Sequence, residues 1–128
     1  MDAIIEALLP RVTEERAWRL QQAVAQRTHS IAPVLENIYD RGNTSAVMRS
    51  AEAFGFMDFY VVEQPGVKFK AANRVAKGTD HWLNQFKYQD VTKCLSHLKQ
   101  RGYQLVATHL QATTFIDEID FTRPTAII

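Results

Sequence analysis

The chain has 128 residues, of which 46% are hydrophobic and 23% are charged, and its formal net charge is +1. That length and composition are typical of one globular domain, and so small a net charge excludes a partner that recognises the protein by overall charge. The single cysteine, Cys94, excludes an internal disulfide and any zinc site built from the cysteines of one chain. The first residues lack the basic start of a signal peptide, and no apolar run reaches the ~18 residues of a membrane span, so we expect a cytoplasmic protein.

The amino-terminal residues predict a helical arm that precedes the main body of the chain. A short amphipathic helix over residues 2–9 is stopped by Pro10, which lacks the N–H that a helix needs. Thr13 is a typical cap for a second, longer helix. A short linker then leads into strands and helices. We therefore expect a helical arm at residues 1–32 and an α/β body at residues 33–128.

The next stretch predicts a strand, a polar turn and a helix. An apolar run over residues 34–38 has the composition of a strand, and residues 40–43 have that of a turn. Asn43 is expected to cap a helix over residues 44–54, because its side chain can accept a hydrogen bond from the first turn. Gly55 is expected to end the helix, because glycine takes a positive φ without penalty. Such a unit is typical of the ligand-binding edge of an α/β protein.

The predicted helix has two distinct faces. One face is a stripe at helical spacing that we expect to face the core. The stripe consists of Val47, Ser50, Ala51 and Phe54. Arg49 falls on the other face among small residues, which would let a ligand or a second subunit approach its guanidinium. The alternative is an ordinary solvated arginine that pairs with Glu52.

The remaining chain predicts strands that alternate with helices. We expect strands over residues 56–63, 82–88, 103–109 and 124–128. Asp90 should cap a helix over residues 91–100 in which Cys94 is a small buried hydrophobe, and Trp82 should pack in the core. This alternation indicates an α/β fold with a mostly parallel sheet and helices on both faces. The last strand is followed by no helix, so we expect a domain that has been cut.

Basic residues cluster in one predicted loop. Four of them lie within ten residues that contain no acid: Lys68, Lys70, Arg74 and Lys77. Such a patch can bind phosphate, although short charge runs are also common on solvated surfaces. The spacing of the four histidines gives no reason for them to converge, so we predict no metal site.

Several motifs, in their order along the chain, resemble one protein family. The first motif combines Asn37, the spaced run Asn43-x-x-Ala46-x-x-Arg49 and the triplet Ala53-Phe54-Gly55. The further matches are Thr13-Glu14-Glu15-Arg16 in the arm, Gly78-Thr79-Asp80-His81-Trp82 and Thr122-Arg123-Pro124-Thr125-Ala126. Together they resemble the SpoU family of RNA ribose 2′-O-methyltransferases, within the knotted SPOUT class, and in particular its TrmH branch.

The resemblance implies a fold, a cofactor and a substrate. Members of the TrmH branch use S-adenosylmethionine to methylate the ribose of a guanosine in the tRNA D-loop, and they act as homodimers. The second and third motifs of the family, which would follow residue 128, are absent. In the family they form the trefoil knot and most of the cofactor pocket. We therefore expect the amino-terminal part of an α/β-knot methyltransferase, inactive by itself, that binds tRNA and no membrane.

The resemblance also assigns roles to individual residues. It makes Arg49 and Asn43 catalytic. Arg49 would orient the nucleotide and stabilise the developing alkoxide, while Asn43 would act either directly or only as the helix cap. The residues implied in RNA binding are Arg11, Arg16, Arg19, Arg41, Lys68, Lys70, Arg74, Lys77 and His81. The residues implied in a remaining cofactor wall are Thr108, His109 and Leu110.

Two alternatives to the enzyme stay open. A shortened chain could be a module that binds RNA or a protein partner without catalysis. It could also be a non-functional truncation that dimerises or aggregates through the open edge of its sheet.

Overall fold

The computed structural model describes residues 2–63, 65 and 79–128. Its helices are α1 (Asp2–Leu8), α2 (Glu14–Ala25), α3 (Arg41–Ala53) and α4 (Val91–Gln100). Its strands are β1 (Ile31–Glu36), β2 (Asp58–Val62), β3 (Asn84–Tyr88), β4 (Gln104–Val106) and β5 (Thr125–Ile127). Short 3-10 helices span Leu9–Arg11, Thr79–Trp82 and Ile116–Glu118. Within the described ranges, no helix is long and apolar enough to cross a bilayer.

The five strands form one sheet in the order β3-β2-β1-β5-β4, and all of their pairings are parallel. The chain moves outward from β1 to β3, crosses to the opposite edge through α4, and then places β5 beside β1. The direction of strand addition therefore reverses between β1 and β5. The predicted parallel α/β fold is confirmed.

The inner strand β2 shows why helices cover both faces of the sheet. All of its residues are buried, and successive side chains point to opposite faces. Tyr60 packs in one core with Cys94 and Leu98 of α4. Phe59 packs in a second core with Met48 of α3. Burial raises the pKa of the Cys94 thiol to about 11, so this residue is the small buried hydrophobe that its helical position predicts.

The start of α3 corrects the prediction for its cap. The helix begins at Arg41 rather than at residue 44, and its N-cap is Asp40. The Asp40 carboxylate accepts a hydrogen bond of 2.7 Å from the Gly42 N–H. Asn43 therefore lies in the first turn of the helix, because Asp40 is an equally good cap residue and comes first along the chain. At the other end, Gly55 takes a φ of 77° after the helix, as predicted.

The buried face of α3 also differs from the predicted stripe. Its buried residues are Thr44, Ser45, Met48 and Ala51. Of the predicted stripe only Ala51 is buried, whereas Val47 and Ser50 are exposed and Phe54 is 73% exposed. Two small hydroxyl residues can lie inside because, in the described part of the chain, every buried side-chain polar atom has a hydrogen-bond partner.

Other element boundaries shift by a few residues. β1 begins at Ile31, inside the predicted linker. β4 ends at Val106, earlier than predicted, because it is an edge strand that pairs only with the short β5. A 3-10 turn replaces the start of the strand predicted over residues 82–88, and Trp82 is 46% exposed rather than packed in the core. The predicted cap of α4 is confirmed, since the Asp90 side chain accepts hydrogen bonds from the first turn.

The arm contacts the α/β body at its carboxyl-terminal end. Helix α2 has no buried residue. At its base, Arg27 forms an ion pair of 2.7 Å with Glu52 of α3. Thr28 pairs in parallel with Phe56, just before β2. The arm is thereby fixed to the edge of the sheet where the strands begin.

Polar residues close this amino end of the sheet around one buried carboxylate. Asp58 is fully buried and shares hydrogen bonds with His29 (2.8 Å), Asn84 (3.0 Å), Arg101 (2.7 Å) and Tyr103 (3.2 Å). We call these five residues the amino-end cluster. Burial raises the pKa of Asp58, but the hydrogen bonds from Asn84 and His29 and the charge of Arg101 outweigh burial and hold that pKa below its ordinary value.

Candidate functional site

The carboxyl edge of the sheet has the topology of a ligand site. In open parallel sheets, ligands bind outside the carboxyl ends of the strands, where the direction of strand addition reverses. That point lies here between β1 and β5. Two features lie at this edge: the turn at residues 37–40 after β1, which we call the elbow, and a cleft beside the ends of β4 and β5.

The elbow is held in a defined backbone conformation. Asn37 has a φ of 52°, which is uncommon for a residue other than glycine. Its N–H donates a hydrogen bond of 2.9 Å to the Val62 carbonyl at the end of β2. Asp40 caps α3, as described above. Between these two fixed residues, the Tyr39 side chain is 102% exposed.

Helix α3 carries both predicted catalytic residues on its surface. Arg49 is exposed, and Glu52, its predicted surface partner, pairs with Arg27 instead. Asn43 is also exposed, and its N–H donates a hydrogen bond of 3.1 Å to the Asp40 carbonyl. Positions 43 and 49 lie about 120° apart around the helix axis. The helix therefore leaves the Arg49 guanidinium accessible, but it does not bring the two side chains together.

A cleft of about 610 Å³ opens beside the carboxyl ends of β4 and β5. Its walls include Thr108, His109 and Ile127, together with the loop that carries Phe115. Thr108 donates from its N–H (2.8 Å) and from its hydroxyl (2.9 Å) to the Ile128 carbonyl, so this wall is fixed to the end of β5. A concave site of this size, with apolar walls and a few polar groups, is typical of small-molecule binding.

The cleft includes two of the three residues predicted to form a cofactor wall. Leu110, the third, is fully exposed to solvent and does not line the cleft. The His109 ring is oriented by a hydrogen bond of 3.1 Å from the Gln111 N–H. On the opposite wall, the Phe115 N–H donates to the Glu118 carboxylate at 2.6 Å and shapes the 3-10 turn. The contribution of these residues to cofactor binding stays a prediction.

The predicted RNA contacts lie in several parts of the chain. Three belong to the arm: Arg11, Arg16 and Arg19. Arg19 forms an exposed ion pair of 2.5 Å with Glu15. Arg41 is exposed at the start of α3, and His81 is exposed in the 3-10 turn that packs against α3. The basic patch lies outside the described residues. The patch consists of Lys68, Lys70, Arg74 and Lys77.

Two features of this edge were not predicted from the sequence. The Asp40 cap could have been found, because aspartate is as strong a cap signal as the asparagine three residues later. The exposure of Tyr39 could not, because tyrosine beside an apolar run is usually a strand residue that packs against its neighbours. Within the described ranges, no three side chains of the metal-binding types come together.

A parallel α/β sheet that carries an elbow, a capped helix and a cleft at the carboxyl ends of its strands is the architecture of a domain that binds nucleotides or cofactors. The SpoU rRNA Methylase family matches residues 30–128, so the chain belongs to this family. The resemblance that the motifs carry is thereby confirmed.

Named relatives and solved structures agree with this assignment. The chain is 31% identical over 114 residues to the tRNA (guanosine(18)-2′-O)-methyltransferase of Escherichia coli K12. The aligned residues are 88% of the chain and 49% of that relative. It is similar to the crystal structure of the A. aeolicus TrmH/SpoU tRNA modifying enzyme, with a TM-score of 0.79 and 29% identity over 89% of the chain and 58% of that protein. The AdoMet-bound rRNA methyltransferase from Sinorhizobium meliloti shares the fold, with a TM-score of 0.68 and 21% identity over 80% of the chain and 40% of that protein. The chain spans about half the length of the curated relatives it matches.

Proposed function

We propose that this chain supplies the ribose-binding half of a tRNA 2′-O-methyltransferase that acts in the cytoplasm on a guanosine of the D-loop. Membership of the SpoU family supports the reaction class, and the names of the relatives support guanosine 18 as the substrate. The observation that carries the proposal is the position of Arg49. Its guanidinium projects from the helix that follows the elbow, and Glu52 is already paired with Arg27.

The chemistry explains why an arginine suits this position. In the reaction, a bond forms between the ribose 2′-oxygen and the transferred methyl carbon while the bond from that carbon to sulfur breaks. The hydroxyl proton leaves to a base or to water, and negative charge develops on the oxygen. A guanidinium remains protonated at neutral pH and is a poor base. Arg49 would therefore orient the nucleotide and stabilise the developing charge.

The methyl donor that we propose is S-adenosylmethionine, which supplies a methyl group activated by a sulfonium. The cleft beside β4 and β5 fits such a molecule in part. Its volume of about 610 Å³ and the apolar side chains of Phe115 and Ile127 suit an adenosine, and Thr108 and His109 offer polar groups. These residues would form one wall of the donor site and exclude water from that side.

Positive charge would hold the RNA by its phosphates. Arg41 lies beside the elbow, and the arm presents Arg11 and Arg16 to solvent. Contacts of this type position the RNA without reading its sequence, and they weaken as salt is raised. For the complete enzyme we propose a homodimer. The exposed apolar side chain of Val47 on α3 is a candidate for that contact.

The test is transfer of a tritiated methyl group from S-adenosylmethionine to unmodified tRNA. The enzyme for the test is a fusion of this chain to the remaining carboxyl-terminal segment of the E. coli relative. We expect Arg49→Ala to lower kcat by about 100- to 1,000-fold, the usual loss when one donor to a developing oxyanion is removed. Arg49→Lys should recover only part of this, because an ammonium lacks the fork of a guanidinium.

Lys99→Ala is the matched control, since Lys99 is an exposed cation on α4, away from the carboxyl edge. It should leave kcat unchanged. If Arg49→Ala retained the turnover of the unmodified fusion, the role of Arg49 would be wrong.

A second function, an RNA-binding module without catalysis, is favoured by one observation. The chain covers only 49% of the E. coli relative, and the cleft offers only one wall of a donor site. Calorimetric titration of the chain with S-adenosylmethionine tests whether the cleft is a complete donor site. Weak or absent binding together with salt-dependent binding of tRNA supports a module, or half of an enzyme. Tight binding of the donor would show that the cleft is complete as it stands.

A further inference from the structure

Tyr39 differs from the aromatic residues of the sheet in its exposure. Tyr60 and Tyr103 are buried, whereas the ring of Tyr39 is 102% exposed. A large aromatic side chain gains free energy when it leaves water, so one that is held fully in solvent at a functional edge is available to a ligand.

The backbone on both sides of Tyr39 is fixed by named hydrogen bonds. Asn37 is tied to Val62 of β2 at 2.9 Å. Asp40 accepts bonds from Gly42 through its side chain at 2.7 Å and from Asn43 through its carbonyl at 3.1 Å. The ring therefore projects from a short, anchored turn. An aromatic group presented in this way loses little conformational entropy when it binds.

The charges around the ring indicate what kind of ligand it would meet. Arg41 is exposed two residues further along the chain, and the carboxylate of the intervening Asp40 is engaged in the helix cap. An exposed aromatic ring close in sequence to an exposed arginine suits single-stranded RNA, because a base can stack on the ring and the cation can contact a phosphate.

We infer that Tyr39 is a stacking platform for an unpaired base of the RNA, next to the ribose that the site modifies. This inference rests on the proposed function and adds a residue that would position the substrate. Stacking is tolerant of base identity because every base has a π-face. Tyr39 would therefore select an unstacked loop over a duplex, rather than one sequence over another.

The experiment measures the affinity of the intact chain for an unmodified tRNA transcript by fluorescence anisotropy. Tyr39→Ala should weaken binding by about 5- to 150-fold, the usual effect of removing one stacked aromatic. Tyr39→Phe should stay within about twofold, because it keeps the ring, whereas Tyr39→Leu should behave like the alanine variant. The slope of log K against log salt should be unchanged in all three Tyr39 variants. Arg41→Ala should make this slope shallower by the amount that corresponds to the loss of about one phosphate contact.

A spectroscopic measurement tests the stacking itself. An RNA loop that carries 2-aminopurine should lose fluorescence on binding the unmodified chain or Tyr39→Phe, and should keep it with Tyr39→Ala. The matched control is Phe54→Ala, which removes an exposed aromatic at the far end of α3. It should leave both the affinity and the fluorescence change within about twofold, as expected for a ring that no base contacts.

The outcomes separate this inference from the proposed function. If the unmodified chain bound no RNA, the proposed function and the inference would both be overturned. If it bound RNA with the expected salt dependence and Tyr39→Ala bound equally well, only the inference would be wrong. A Tyr39→Leu variant with full affinity would show that stacking is not needed, and it would overturn the inference. A Tyr39→Ala variant that changed the oligomeric state and not the RNA affinity would show that protein covers the ring, and it would overturn the inference too.

Discussion

The two ends of the parallel sheet satisfy their polar groups in opposite ways. At the amino end, the buried Asp58 carboxylate joins residues from the linker, two strands, the end of α4 and the residue before β4. At the carboxyl end, the elbow and α3 leave Tyr39, Arg41 and Arg49 in solvent, and a cleft of about 610 Å³ opens beside the ends of β4 and β5.

This difference separates stability from function along one set of strands. The amino-end cluster ties together segments that are far apart in the chain, so it can hold the register of the sheet without help from the other end. The carboxyl end is then free to present an exposed aromatic ring together with charged groups whose burial would cost free energy. Such a division is expected in open parallel sheets, whose ligand sites lie at the carboxyl ends of the strands.

Removal of the Asp58 carboxylate should have the largest effect on stability. We expect Asp58→Ala to lower the free energy of unfolding by ~3 kcal/mol, the lower part of the range for breaking a buried ion pair. The lower part applies because Arg101 and His29 keep 31% and 59% of their side chains exposed and can be rehydrated. Urea unfolding followed by circular dichroism measures the loss. The dependence of stability on acid pH should change as well. In the unmodified protein, the depressed pKa of the Asp58 carboxyl contributes stability that is lost as pH falls below about 4, and Asp58→Ala lacks this contribution.

The matched substitution at the carboxyl end of the sheet is Asp40→Ala. Asp40 also accepts a short hydrogen bond, of 2.7 Å, but it is exposed and caps one helix. Its loss should cost only ~1 kcal/mol, the usual value for an N-cap. Equal losses at Asp58 and Asp40 would contradict the division between the two ends.

Alkaline titration tests the burial of Tyr103 at the amino end of the sheet. Burial, and then the negative charge of Asp58, raise the pKa of Tyr103 from 10.0 to about 12. A raised folded pKa contributes stability below the unfolded value, and that stability is lost as pH rises from 10 towards 12, by roughly 2–3 kcal/mol in total. Tyr103→Phe cannot titrate, so the stability difference between it and the unmodified protein should narrow over this range. Parallel pH profiles of the two proteins in urea unfolding would be inconsistent with a buried phenol.

The sequence was most informative where the signals are local. Asp90 caps α4 as predicted, because a cap acts within the first turn of its helix. The face of α3 could not be predicted in the same way. Ser45 is buried while Phe54 is exposed, so the hydrophobic period pointed to the wrong side of the helix. Packing against the sheet determines which face of α3 is buried, and the sequence of the helix by itself does not contain that information.

The amino-end cluster could not be predicted at all, for a related reason. Its first and last members, His29 and Tyr103, are 74 positions apart and meet because parallel pairing aligns the starts of the strands. The site is a different case. Arg49 was singled out by its resemblance to the family motif, since periodicity alone left it as an ordinary surface arginine. Tyr39 was missed, because exposure is a property of the folded edge.

A last pair of variants tests whether the arm is fixed at the amino end of the sheet. A Cβ at Gly55 would lie 2.7 Å from the Gln26 carbonyl at the base of the arm, whereas a Cβ at Gly102 meets no atom within 4 Å. Both glycines have a positive φ, so each alanine variant pays a similar conformational cost of about 1 kcal/mol. Gly55→Ala should lose a further ~1–2 kcal/mol in urea unfolding, because the arm must shift to relieve the clash. If Gly55→Ala and Gly102→Ala unfolded at the same urea concentration, the arm would shift at no cost in stability, and it would not be part of the fixed amino end of the sheet.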